Sequence, residues 1–132
     1  MERRRQSEIY DLLYRLGATE NYIGFFHTAY AVALCAEQPE RLLGVTKGLY
    51  PAVAKAYKTN WKAVERNIRT VRDMIWHKNR PLLEALARRH LTQRPRNTQL
   101  LAILTASLDS GPPAAQRSGQ ADAPACEVGC PN

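Results

Sequence analysis

Residues 50–69 read YPAVAKAYKTNWKAVERNIR, and the reading of this stretch decides the fold. It has the spacing of a helix, a short turn and a second helix. Two helices that cross closely need a small residue where they meet, and Ala54 stands there. Tyr57 supplies an apolar residue three positions on, and Lys58-Thr59-Asn60 makes the turn. Such turns often contain glycine; the corresponding place here is Lys58. Asn60 or Thr59 can cap the second helix, whose inward side continues through Val64 and Ile68. Trp61, Val64, Ile68, Val71 and Ile75 step by three and four residues, which predicts one helix over about 60–77 with a single apolar stripe.

With that stripe turned inward, Lys62, Glu65, Arg66 and Arg69 point away from it, with Arg72 and Asp73 beyond them. A recognition helix offers such residues to base edges. Arg can make a bidentate contact with guanine, and Glu can accept from cytosine N4. Asn67 is in reach of a base or a phosphate. The same residues also read as a solvated helix face with local Glu–Arg pairs, which contribute little. The charge distribution favours DNA. Residues 41–96 hold fourteen basic and three acidic groups, whereas 1–40 and 97–132 each carry a net −2. An excess of +11 in the middle of a chain whose total is +7 attracts polyanions.

Helical spacing continues outward on both sides, and no run alternates as a half-buried strand does. Ile9, Leu12, Leu13 and Leu16 predict a first helix, stopped by Gly17. Thr19 is a candidate N-cap for a second, with Tyr22, Phe26, Ala29, Tyr30 and Ala33 facing inward. Pro39 suits the first turn of a third, continued by Leu42, Leu43, Leu49 and Val53 and kinked or split at Pro51. Beyond the fourth helix, Asn79 and Pro81 open a short fifth through Leu82, Leu83 and Leu86. After the basic loop Gln93-Arg94-Pro95-Arg96, Asn97 can cap a last helix through Leu100, Leu101, Leu104 and Leu108. The expectation is an all-α, six-helix domain over residues 7–108, containing a helix-turn-helix. Residues 109–132 hold three glycines, four prolines and five alanines, too little apolar bulk to offset ordering, and are expected to be a disordered tail.

Other classes find little support. Hydrophobic residues at 45% and charged residues at 23% exclude a wholly disordered chain. The longest apolar run, Ala29–Ala36, is far short of the roughly 18 residues that span a bilayer. The basic start Met1-Glu2-Arg3-Arg4-Arg5 lacks the apolar stretch of a secretion signal, so a cytoplasmic location is expected. Cys126 and Cys130 form half a zinc site with no nearby histidine to complete it, and Cys35 reads as a core residue. His27, His77 and His90 have no nucleophile or carboxylate beside them. Trp61 and Trp76 read as core. No glycine spacing makes a phosphate cradle. No metal, cofactor or enzymatic activity is expected.

The segment LLGVTKGLYPAVAKAYKTNWKAVERNIR, residues 42–69, resembles a known family: the C-terminal DNA-binding effector domain of the stage-zero sporulation response regulator. Leu49-Tyr50-Pro51, Ala54-Lys55 and Val64-Glu65-Arg66 carry the resemblance in combination. Trp76 and Pro95 to Asn97 extend it, and it covers residues 7–108. It implies that the fourth helix enters the major groove and that Glu65, Arg66 and Arg69 read a short GC-containing box. Lys62 and Thr70 stand beside them as further candidate base contacts. Lys55, Lys58, Thr59, Asn60, Arg94 and Arg96 are the candidate phosphate contacts. Thr70 stands where the family usually has His, Asn67 where it has Ala, and Lys62-Ala63 where it has Ser-Arg, so the flanks of the box are expected to differ. Family members carry a receiver domain in front, whereas Met1 here lies just before the first helix. The expectation is a stand-alone binder, or a competitor of full-length relatives, that docks head-to-tail on tandem boxes. The alternative is an interaction protein that pairs with full-length relatives or with the RNA polymerase sigma subunit.

Overall fold

The computed structural model describes residues 3–110, and all regular structure among them is helical. The order is α1 (Arg3–Leu16), α2 (Ile23–Glu37), a 3₁₀ turn (Pro39–Leu43), a π-type turn (Val45–Leu49), α3 (Tyr50–Ala56), α4 (Trp61–Ala87) and α5 (Asn97–Ser110). The expected tail and the Cys126–Cys130 pair lie outside the described residues, apart from Asp109 and Ser110, which extend α5 past Leu108.

α1 follows its apolar spacing: Ile9, Leu12, Leu13 and Leu16 are all buried. Gly17 ends it at φ +104°, with the N–H of Ala18 returning to the carbonyl of Leu13 and that of Gly17 to Tyr14. This left-handed closure is the glycine stop that the spacing predicts.

α2 departs from its expected form in two ways. It starts at Ile23 with no side-chain cap, while the Thr19 hydroxyl bonds to Asn21 in an exposed loop. It also lacks a single inner face. Gly24, Phe25, His27, Thr28, Ala29, Ala31, Val32, Ala33 and Cys35 are buried, whereas Tyr22, Phe26 and Tyr30 are only half-buried. The reason is its place: α2 packs on α1, α3, α4 and α5, so most of its circumference is core.

The third element is split more finely than one kink at Pro51 would make it. The chain breaks at Gly44 between the two irregular turns, and Pro51 falls in the first turn of α3, where its missing N–H costs nothing. Leu49 and Val53 are buried as expected, but Leu43 is 90% exposed because the 3₁₀ turn carries it off the core.

Five α-helices stand where six were expected because the fourth and fifth run on as one element with a break. Asn79 sits at φ −150°, ψ 58° inside α4, two residues before Pro81. Proline cannot donate and its ring crowds the carbonyl four residues back, so the helix must open there. Asn79 caps the segment beyond the gap and ties it to α1. Its Oδ1 accepts from the N–H of Leu82 at 3.3 Å, and its Nδ2 donates to the carbonyl of Arg15 at the end of α1, 2.8 Å away. The second half of α4 then buries Leu83 and Leu86.

Candidate nucleic-acid interface

The entry to α4 is built by its turn. The N–H of Thr59 returns to the carbonyl of Ala54 and that of Lys58 to Lys55, which forces Lys58 to φ +56°. Lys58 thus occupies the left-handed position that glycine usually takes. Asn60 then caps α4, its Oδ1 accepting from the N–H of Ala63 at 2.9 Å. Val64, Ile68, Val71 and Ile75 are fully buried, and Ala54 is buried against them from α3. Tyr57, placed inward by spacing, is 36% exposed and packs edge-on against His27 and Tyr30 instead. Trp61 is 38% exposed, with the Lys62 ammonium 5.8 Å from its ring. As the first residue of the helix it has no preceding turn to cover it, so it is not the core residue its spacing implied. Trp76 is half-buried under the Arg80 guanidinium, 4.3 Å away.

The opposite face of α4 is charged and open. Lys62, Arg66 and Arg69 are exposed, and Glu65 and Thr70 are half-buried. Glu65 reaches Arg69 at 3.5 Å, a surface pair of small energetic weight, and the Thr70 hydroxyl donates to the carbonyl of Arg66. Lys55, Lys58, Thr59 and Asn60 are all exposed along the preceding turn. Asn67 differs from its expected outward role. It turns toward α2, where its Oδ1 accepts from the Tyr22 hydroxyl at 3.1 Å and its Nδ2 lies 3.3 Å from His27 Nδ1. Burial holds the His27 pKa below its usual value.

The loop between α4 and α5 is brought to the same side. Its start is fixed by Glu84, whose Oε2 accepts from the N–H of Leu91 (2.8 Å), His90 Nδ1 (3.0 Å) and Arg80 Nε (3.3 Å). The Leu91 N–H, then the neighbouring His90 and Arg80 side chains, hold the Glu84 carboxyl below the usual carboxylate range. Arg80 also donates to the Leu91 carbonyl. Farther on, Asp73 of α4 pairs with both Arg72 (3.0 Å) and Arg94 (2.9 Å), so Arg94 is tied to α4. Arg96 is exposed and shares a cleft of about 250 Å³ with Glu65, Arg69 and Arg72.

Asn97 does not cap α5. Gln99 does so by accepting from the N–H of Arg96, while Asn97 is buried and donates to the carbonyl of Glu65, 3.1 Å away. Spacing missed this grip on α4, as it missed the tie of Arg94 to Asp73, because each partner lies far along the chain. Among the described residues, no group of three or more His, Cys, Asp or Glu side chains could hold a metal ion. None of their helices is long and apolar enough to cross a membrane.

A helical module that turns a basic helix face and a basic loop to one side defines a class: a nucleic-acid-binding domain. The particular family follows from comparison. Residues 9–108, about three quarters of the chain, match the family of the sporulation initiation factor Spo0A C terminal, and the chain belongs to that family. It is a family of DNA-binding transcription-factor domains concerned with sporulation, and not of enzymes.

Proposed function

We propose that the chain binds double-stranded DNA sequence-specifically, as a transcription regulator of the sporulation-initiation type. In this reading α3, its turn and α4 act as a helix-turn-helix, with residues 60–77 in the major groove. Lys62, Glu65, Arg66, Arg69 and Thr70 face the bases. Lys55, Lys58, Thr59, Asn60, Arg94 and Arg96 face the phosphates on either side. The observation that carries it is the division of α4: a fully buried stripe behind, and Lys62, Arg66 and Arg69 exposed in front. A gel shift at one stated salt concentration tests it, comparing a duplex that carries the family's GC-containing box with a scrambled duplex. The box should bind more tightly; equal binding to both overturns the specific reading.

Head-to-tail pairing on adjacent boxes belongs to the same proposal, as does contact with the polymerase sigma subunit. A heterologous contact of the first kind need not give a stable dimer in solution. Titration onto one box and onto two tests it, with modest cooperativity expected only on two. A working place beside the chromosome, in the cytoplasm, follows from DNA binding.

A further inference from the structure

We infer that Asn67 is a positioning residue for sequence reading: through Tyr22 and His27 of the α2 end it sets the roll of α4, and so the aim of Glu65, Arg66 and Arg69. The inference rests on the DNA-reading role proposed above.

Three observations meet at this point. Asn67 turns both the oxygen and the nitrogen of its amide toward the start of α2, accepting from the hydroxyl of Tyr22 just before it and donating toward His27 Nδ1. This arrangement needs His27 neutral, and His27 is buried. α2 comes close enough for these bonds because residue 24 is glycine. A Cβ there would stand 2.5 Å from the carbonyl oxygen of Asn67 and 2.9 Å from the Val71 side chain. From another helix, the buried Asn97 of α5 holds the carbonyl of Glu65. α4 is therefore gripped at residues 65 and 67, from α5 and from α2, on either side of Arg66.

Apolar packing alone leaves a helix some freedom to roll, because Val and Ile surfaces slide at little cost. Directional bonds do not allow it. A roll of about 10° moves a side-chain tip ~8 Å from the helix axis by more than ~1 Å, which exceeds what a bidentate base contact tolerates. Phosphate contacts through long, mobile lysines tolerate more. Loss of the Asn67 bonds should therefore blunt discrimination more than it weakens general attraction to DNA.

The test compares wild type, Asn67→Ala and Tyr22→Phe on two duplexes at one salt concentration. One carries the GC-containing box, and the other the same box with a single guanine replaced. Thermal melts run alongside. Asn67→Ala should weaken binding to the intact box by about three- to tenfold, as the loss of such bonds implies. It should weaken binding to the altered box less, so that the ratio between them narrows. Tyr22→Phe removes one hydroxyl and should move the ratio the same way by a smaller factor, and it carries the test if Asn67→Ala does not fold. The double variant should be little worse than Asn67→Ala alone, because both act through one amide. Equal weakening on both duplexes, or an unchanged ratio in both variants, overturns the inference while the DNA reading stands. A wild-type protein that does not separate the two duplexes overturns the DNA reading, and this inference with it.

Discussion

α2 and α4 lie against each other and could hardly differ more. From Ile23 to Ala36, α2 carries no charged side chain and is buried on most sides. The first half of α4 buries one stripe and sets basic groups on the rest. Both helices touch four others, but α2 buries most of its circumference against them, whereas the first half of α4 buries a single stripe. Residues on α2 are therefore held by the fold, whereas those on the outer face of α4 are free to serve something else. The charged face that the fold does not need is where the proposed DNA contact falls.

The strongest way to break this contrast is to mix the two faces of α4. Val64→Asp places a carboxylate in a fully buried position with no partner, at a cost of roughly 3–5 kcal/mol, a large share of a domain's total stability. Its neighbour Glu65→Ala should melt within a few degrees of wild type, since it removes only a weak surface pair. Thermal melts of both decide it. A folded Val64→Asp protein with a wild-type melting temperature would mean that α4 is rotated from its described phase.

Next in size is the contact between the two helices. Gly24→Ala forces a methyl group into the backbone of Asn67 and should cost about 1–3 kcal/mol, as overpacking does. By contrast, Gly48 has nothing within 4 Å of its would-be Cβ, so Gly48→Ala should change the melting temperature far less. Similar melts for the two variants would remove the close approach of α2 to α4.

The same contrast explains what the sequence made legible. The stripe of α4 was readable because water lies on one side and core on the other, which is what helical periodicity records. α2 reads as a helix but not in its facing: with Phe25, Ala29 and Val32 buried on one side and His27 and Ala31 on the opposite one, period carries no direction. The left-handed turn at Lys58 and the cap at Asn60 were legible because both are local. Leu43 was misread because an apolar residue in an irregular turn looks like one in a helix. The inward turn of Asn67 and the grip of Asn97 on Glu65 were not legible, since each depends on a partner brought near only by folding. Of the proposed interface, the face of α4 was readable as a pattern. The tie of Arg94 to Asp73 was not.

On the outer face, Arg66→Ala should leave stability within about 0.5 kcal/mol. It should cost roughly 1–3 kcal/mol of discrimination at one guanine of the box, the worth of a bidentate contact. Binding to the intact box and to one altered at that guanine measures it. Equal weakening on both makes Arg66 a phosphate contact.

Acid sharpens the contrast from the side of α2. His27 is held neutral by burial, so its folded pKa lies below its unfolded value of about 6.5. Below that value the unfolded chain binds the proton more readily, so stability is full above about pH 6.5 and falls as pH drops toward the folded pKa. Facing the imidazole are Asn67 from α4 and Tyr57 from the turn after α3, neither of which offers it a negative charge at neutral pH. Melts of wild type and His27→Gln between pH 7.5 and 5.5 should show a drop that the variant lacks. Parallel curves would mean that His27 takes up its proton without strain in the fold.

The smallest expected effect separates fold from binding within one residue. Lys58 sits at φ +56°, a conformation that a side chain resists and glycine adopts freely. Lys58→Gly should therefore stabilise the fold by about 0.5–1 kcal/mol, net of the entropy that glycine adds to the unfolded chain. Arg88 has the same conformation at the end of α4, φ +61°, and Arg88→Gly is the control. Lys58 is a proposed phosphate contact and Arg88 is not, so their effects on DNA should part company. Five or six neutralised phosphates give a log–log salt slope near −5. Lys58→Gly should reduce that slope by about 1, while Arg88→Gly leaves it unchanged. A protein that is both more stable and less salt-sensitive in binding is what the two roles of Lys58 require. If its slope matches that of Arg88→Gly, the lysine serves the turn alone, and glycine would have served it better.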